Sequence, residues 1–292
     1  MVVVKLMGGL GNQMFQYAFA LYLSEKHQTN LKADVSYLLR RDIKDKNHVF
    51  RNYDLDVFDL NVDLATQTEV NGLTRYLRQP YLNAAANKLM GRKSTYIVET
   101  DMSFMPTAFN AGGNVYLEGY WQSEKYFAPV ADILKKLFVI KAAFPAHVNE
   151  LIKEISGQNS VCVNIRRGDF VNSLTHGVCS PEYYNKAEKL LSESQANMVF
   201  YVFSDDLEWC KQNLKFFCRT VFVDHAFAGP KFAWYFHLMT CCKHFIIANS
   251  SFAWWAAYLA PHQNKTVIAP SKWVIANSLY NADIYPDAWL TI

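Results

Sequence analysis

"VVVKLMGGLGNQMFQYAFALYL", Val2 to Leu23, reads as a short strand, a glycine turn and an amphipathic helix. The valines suit a strand buried in a parallel sheet, and Phe15, Ala18 and Tyr22 recur at helical spacing. "TNLKADV" around Leu31 then reads as a second strand ending near Asp34, so the chain opens with a βαβ unit. The glycine turn raises a functional question. Gly9-Leu10-Gly11 followed by Asn12-Gln13-Met14 keeps two glycines of a dinucleotide fingerprint and lacks the third, while Asp34 stands where a ribose-binding acid belongs. On these residues alone, an NAD-dependent oxidoreductase built on the N-terminal glycine loop is one reading.

The rest of the chain sets limits on that reading. Its 292 residues suffice for two domains, and 51% hydrophobic with 19% charged residues is a globular composition. A net charge of +3 without a long basic run argues against nucleic acid as the main partner. The apolar stretches at Phe245 to Ala248 and Phe252 to Ala260 are too short to span a bilayer. The start lacks a basic leader region and its apolar run is broken by Gly8, Gly9 and Gly11, so an unprocessed, cytoplasmic protein is expected. Six cysteines without CxxC spacing are expected as reduced core thiols. The stretch from Val62 to Gly91 turns polar, with Arg75, Arg78, Arg92 and Lys93 scattered through expected helices in and just beyond it.

From about residue 156 the pattern is clearest. Candidate strands at Ser160–Ile165, Met198–Phe203, Thr220–Val223, His244–Ala248 and Thr266–Ala269 alternate with helices starting near Pro181, Asp206, Pro230 and Ser251. Such alternation predicts a doubly wound parallel sheet. Ser180 before Pro181 is a helix-start signal. A domain boundary is expected between residues 145 and 157, giving domains 1–155 and 156–292.

Each of the first four of these strands ends in polar residues: "NIRRGD" at Asn164–Asp169, Ser204-Asp205-Asp206, Asp224-His225 and Asn249-Ser250-Ser251. Ligands of open parallel sheets bind outside the carboxyl ends of the strands, so these four groups are expected to share one crevice. Arg166 and Arg167 offer guanidinium forks for phosphate, one pointing inward and one outward, with an ion pair to Asp169 as the bland alternative. Ser250 and Ser251 open a helix whose free N–H groups suit an anion, or simply cap it. One of Asp205 and Asp206 is expected to read a base edge, the other to cap the next helix through Trp209. Trp254 and Trp255 are expected in the core, and His176 in a solvated loop. Asp54 and Asp56 form a DxD without a partner cluster, which argues against a metal there.

Five segments in order resemble the bacterial galactoside α-1,2-fucosyltransferases, relatives of the GDP-fucose-dependent α-1,6- and protein O-fucosyltransferases. They are "GGLGNQMFQYAFA" from Gly8, "YLEGYWQSEKYF" from Tyr116, "VNIRRGDFV" from Val163, "YVFSDD" from Tyr201 and "ANSSFAWWAAYL" from Ala248. The resemblance implies an α/β GT-B fold, two Rossmann-like domains facing across a cleft, with residues 1–155 on the acceptor side and 156–292 holding GDP-fucose. It implies inverting transfer of L-fucose to the 2-hydroxyl of a terminal galactose, without a metal or other cofactor. Arg166 then binds the pyrophosphate, Ser250 and Ser251 the phosphates and Asp205 the guanine. Asn12 approaches the reacting sugar, and Gly9, Gly11, Asn164, Asn249 and Phe252 complete the donor-binding set. Two positions depart from the family's HxRRGDY: Asn164 replaces the histidine and Phe170 the tyrosine. The resemblance also implies cytoplasmic action, with peripheral association at the inner membrane.

Overall fold

A computed structural model describes residues 1–42, 49–74, 95–173, 175–275 and 283–292. The expectations for Arg75, Arg78, Arg92 and Lys93 lie outside these residues. Two compact units are formed: one from the described residues of 1–138 with Asp283 and Ile284, the other from the remaining described residues.

In the first unit, β1 (Val2–Lys5), β2 (Leu31–Asp34), β3 (Asp63–Leu64), β4 (Tyr96–Val98) and β5 (Val115–Glu118) form a parallel sheet of order β3-β2-β1-β5-β4. The opening βαβ is present, with Val2 in register with Leu31 and Lys5 with Asp34. Its helix α1 (Leu10–His27) is not amphipathic, because both of its faces are covered. Phe19 packs on Phe109, Trp121 and Tyr126, Phe15 on Phe127, and Tyr17 on Phe138. Gln13 and Gln16 are fully buried in it. The helix ends at Gln28, whose left-handed φ of 49° returns its N–H to the carbonyls of Ser24 and Glu25. Short helices α2 (Ser36–Leu39), α3 (Gln67–Thr74) and α4 (Ala131–Leu137) complete the described helices of this unit.

The second unit begins earlier than expected, since α5 (Ala146–Gly157) buries Val148, Leu151 and Ile155 within it rather than closing the first domain. Its sheet has β6 (Asn159–Ile165), β7 (Met198–Ser204), β8 (Arg219–Phe222), β9 (His244–Ile246), β10 (Val267–Ala269) and β11 (Leu290–Thr291), ordered β11-β10-β9-β6-β7-β8 and parallel throughout. β7 is buried along its whole length, which explains its unbroken apolar sequence: helices cover both faces of a doubly wound sheet. Val161, Val163 and Ile165 of β6 pack with Tyr184, Ala187 and Leu191 of α6 (Pro181–Ser192). Fully burying each such large aliphatic residue contributes about 1.5–3 kcal/mol, so Leu191→Ala removes about 2–5 kcal/mol once its cavity is counted. The remaining helices are α7 (Leu207–Asn213), α8 (Ala233–Thr240) and α9 (Ser251–Leu259). Trp254 and Trp255 of α9 are fully buried, as expected, and all six cysteines are free thiols. Ser180 occupies the N-cap position of α6, but its hydroxyl makes no capping bond to the backbone. Among the described residues, no helix is long and apolar enough to cross a membrane.

Candidate functional site

In the second sheet the chain order reverses at one place, between β6 and β9; in the first, β1 to β3 and β4 to β5 run the same way across the sheet. Strand carboxyl ends at such a reversal are where an open α/β sheet leaves room for a ligand.

In the second unit, the loop after β6 carries Arg166 and Arg167, and the structure gives them different surroundings. Arg167 is the more enclosed: its guanidinium lies 3.7 Å from the ring of Trp209 and pairs with Asp206 at 3.1 Å. Arg166 is more open, with 29% of its side chain exposed, and pairs with Asp169 at 2.5 Å and with Asp205 at 2.7 Å. Asp206 caps α7 through the Trp209 N–H, as expected. Asp205 turns toward the arginine loop: Oδ1 accepts the Arg167 backbone N–H at 2.9 Å, and Oδ2 faces Arg166. In this geometry Asp205 anchors the loop. Gly168 is needed for that approach, because a Cβ there would lie 2.6 Å from Asp205 Oδ2.

His176 does not sit in a solvated loop. Its ring stacks on Phe170 at 4.5 Å, and Phe170 in turn lies under Arg166, 5.4 Å from its guanidinium carbon. The loop is clamped because Asn249 Nδ2 donates to the His176 carbonyl at 2.8 Å and to the Trp273 carbonyl at 3.0 Å. Burial pushes the His176 pKa down, against the raising effect of Asp169. The third strand end joins the same group, as His225 Nε2 hydrogen-bonds the Ser204 carbonyl at 2.8 Å.

At the fourth strand end, Ser250 caps α9, accepting the Ala253 N–H at its hydroxyl and the Trp254 N–H at its carbonyl. The N–H groups of Ser251 and Phe252 come too early in the helix to have an intrahelical acceptor. The Phe252 ring packs on Phe236. Asn164 and Asn249 each keep a buried Oδ1 without a partner among the described residues. The Asn164 amide donates a long 3.5 Å bond to the Phe203 carbonyl, which leaves its buried oxygen without a partner among the described residues. Two buried acceptors of this kind call for hydrogen-bond donors such as sugar hydroxyls.

In the first unit, Gly8 is the constrained glycine of the turn, with a φ of 74° and a Cβ position only 2.4 Å from Asn12 Nδ2. A Cβ at Gly9 would meet nothing within 4 Å, and Gly11 lies inside α1. Gln13 bonds the Gly8 and Asn52 carbonyls and accepts the Asp54 N–H, while Gln16 accepts the Met7 N–H and donates to the Gly119 carbonyl. Asn12 Oδ1 accepts from Gln122 Nε2 at 2.8 Å. The glutamines therefore wire the turn to the end of β5. The ribose role considered for Asp34 is not available: one oxygen accepts the Tyr116 hydroxyl at 2.6 Å and the other the Ser36 N–H at 2.8 Å. Asp54 sits at the N-cap of a 3₁₀ turn that includes Asp56, and among the described residues no three His, Cys, Asp or Glu side chains converge as a metal site.

Two groups escaped the sequence reading. His176 was discounted because nothing local reveals its stack on Phe170. Glu99, just past β4, accepts the backbone N–H groups of Tyr120 at 2.6 Å and Trp121 at 3.1 Å, and burial pushes its carboxyl up to about 7. Its only signal in the sequence was an acidic residue directly after a short β-branched run.

The model of the glycosyl transferase family 11 matches residues 64–292. The chain is 32% identical to an alpha-1,2-colitosyltransferase of Escherichia coli, over 100% of this chain and 98% of the relative. It is 31% identical to the O-antigen biosynthesis glycosyltransferase WbnK of Escherichia coli, over 98% and 99%. Among solved structures, NodZ alpha-1,6-fucosyltransferase co-crystallized with GDP superposes with a TM-score of 0.51 at 14% identity, covering 89% of this chain and 92% of that one. The fold, two parallel-sheet α/β units, is thus of the GT-B class. A glycosyltransferase family leaves no place for the oxidoreductase reading of the glycine turn, and the membrane association implied by the resemblance gains no support. The chain belongs to glycosyl transferase family 11.

Proposed function

We propose that this enzyme transfers L-fucose from GDP-β-L-fucose to the 2-hydroxyl of a terminal galactose, with inversion and without a metal. The observation that supports this most directly is the second unit's strand-end group. Arg166 and the Ser251 and Phe252 N–H groups supply positive character for a diphosphate, while Asn164 and Asn249 keep buried side-chain oxygens without a partner among the described residues. The departing diphosphate gains negative charge in the transition state, so a guanidinium and fixed N–H dipoles stabilise it more than they stabilise the ground state. In this reading Asp205 serves the donor through Arg166 rather than through the guanine, and Asn12 in the first unit approaches the reacting sugar. The first unit binds the acceptor, and the reaction takes place in the cytoplasm.

One observation favours a second donor. The full-length relative at 32% identity is a colitosyltransferase, and colitose is L-fucose without its 3-hydroxyl. The test is purified protein with lactose and either GDP-fucose or GDP-colitose, with EDTA present. Fucosyllactose with the first donor is the expected product, and Arg166→Ala lowers turnover by about 100-fold or more with the fold intact. Product only from GDP-colitose replaces the donor assignment. Strict metal dependence removes the metal-free mechanism.

A further inference from the structure

Displacement at an anomeric carbon by a neutral hydroxyl leaves a proton that must go somewhere as the new C–O bond forms. Most carboxylates near the strand carboxyl ends are engaged with strong partners. Asp169 and Asp205 face Arg166, Asp206 pairs with Arg167, Asp34 takes Tyr116 and Ser36, Glu118 pairs with Lys5, and Asp283 with Lys125. Glu99 differs, because the partners its oxygens have are two backbone N–H groups.

We propose that Glu99 is the catalytic base, accepting the proton of the acceptor hydroxyl at its carboxylate. This rests on the glycosyl-transfer reading above. The hydroxyl oxygen forms its bond to the donor's anomeric carbon and its O–H bond breaks toward Glu99. The bond from the anomeric carbon to the diphosphate oxygen breaks with its electron pair leaving on GDP, and Glu99 later returns the proton to water.

The local structure is built around this carboxylate. The Glu99 N–H donates to the Glu118 carbonyl at 2.8 Å, which fixes the residue beside the end of β5. The following turn passes so close that a Cβ at Gly119 would lie 2.4 Å from Glu99 Cβ. Trp121, fully buried, holds a left-handed φ of 55° there, a conformation that costs a residue with a Cβ and recurs at functional sites. Gln16 from α1 bonds the Gly119 carbonyl, and Gln122 bonds Asn12, so the turn after β5 that holds Glu99 is also tied to the glycine turn after β1, beside which β5 lies in the sheet. Oε2 accepts the short Tyr120 bond and shares the Trp121 N–H with Oε1, which has only that bond, at 3.1 Å.

The acidity supports the role, since a base poised near neutral pH combines the deprotonated form with useful proton affinity. The charged and titratable neighbours are Asp101 on the same loop, which raises the Glu99 pKa, and the phenols of Tyr120 and Tyr126, both pushed above their ordinary value by burial. Lys125 is held by Asp283.

The test measures kcat and kcat/KM against pH for the wild type, Glu99→Gln and Glu99→Asp, with GDP binding by calorimetry. Glu99→Gln is expected to lower kcat by about 100-fold or more and to bind GDP as the wild type does, with Glu99→Asp intermediate. The wild-type profile should rise through a pKa near 7, and Glu99→Gln should lack that rise. A Glu99→Gln enzyme within about fivefold of wild-type kcat, or a wild-type profile that stays flat through neutral pH, overturns the proposal. The wild-type profile decides even if Glu99→Gln fails to fold. A wild type that neither binds GDP nor transfers sugar instead overturns the glycosyl-transfer reading, a result distinct from active enzyme indifferent to Glu99.

Discussion

Arg166 sits between two carboxylates, and a donor diphosphate has to compete with them. The contact to Asp169 is 2.5 Å between side chains that are 29% and 22% exposed, so solvent screens it without removing it. An exposed pair contributes up to about 1 kcal/mol and a charge-assisted hydrogen bond about 1.5–3 kcal/mol. Discounted for exposure, the Arg166–Asp169 pair contributes about 1 kcal/mol. Asp169→Asn leaves an isosteric side chain and Asp205 still in place at 2.7 Å. It should therefore cost about 1 kcal/mol of stability, a fall of roughly 2–4 °C in Tm for a chain of this size. The same charge no longer opposes the diphosphate, so GDP should bind about fivefold more tightly, the factor that about 1 kcal/mol represents. Calorimetry at low salt measures both enzymes, and the gap should narrow as salt screens the partly exposed groups. An unchanged or weaker GDP affinity for Asp169→Asn refutes the idea that Asp169 occupies the guanidinium edge a phosphate takes.

Two further outcomes follow from local geometry. Gly168→Ala places a Cβ 2.6 Å from Asp205 Oδ2, so the loop must shift; a loss of about 1–3 kcal/mol in chemical denaturation, with weaker GDP binding, is expected, and wild-type behaviour counts against the close approach. Glu99, with its pKa raised to about 7, binds a proton on folding that the unfolded chain releases near its ordinary 4.5. Its charged form is thus a burden on stability that grows as pH rises from about 4.5 to 7 and is constant above. Glu99→Gln should therefore gain stability relative to wild type over that window, by up to about 3 kcal/mol, and a pH-independent difference in Tm denies the shift.

Much of the fold was legible because its signals are local. The valines of β1, the buried apolar runs of β6 and β7, and the start of α9 at Ser251 are consequences of burial and capping that act within a few residues. The very short strands β3, β4 and β11 were not read, since two or three residues carry no period and pair only because a neighbouring strand is already in place. The spacing of Phe15, Ala18 and Tyr22 suggests an amphipathic α1, but it carries no sign that Gln13 and Gln16 are buried; their bonds to Gly8, Asn52 and Gly119 exist only once the chain has folded back.

For the site, sequence by itself determined which strand ends are polar, and the five ordered segments pointed to the family. A strand's carboxyl end is fixed by its place in the chain, so the polar residues that follow it gather at the sheet edge whatever their partners. Tertiary structure decided the partners. It turned Asp205 to the arginine loop, assigned Arg167 to Trp209 and Asp206, and left Arg166 the more open of the two. It also set His176 on Phe170 and Glu99 against the N–H groups of Tyr120 and Trp121. Most of these pairings join residues tens of positions apart, and all depend on desolvation and loop conformation, which no single stretch of sequence encodes.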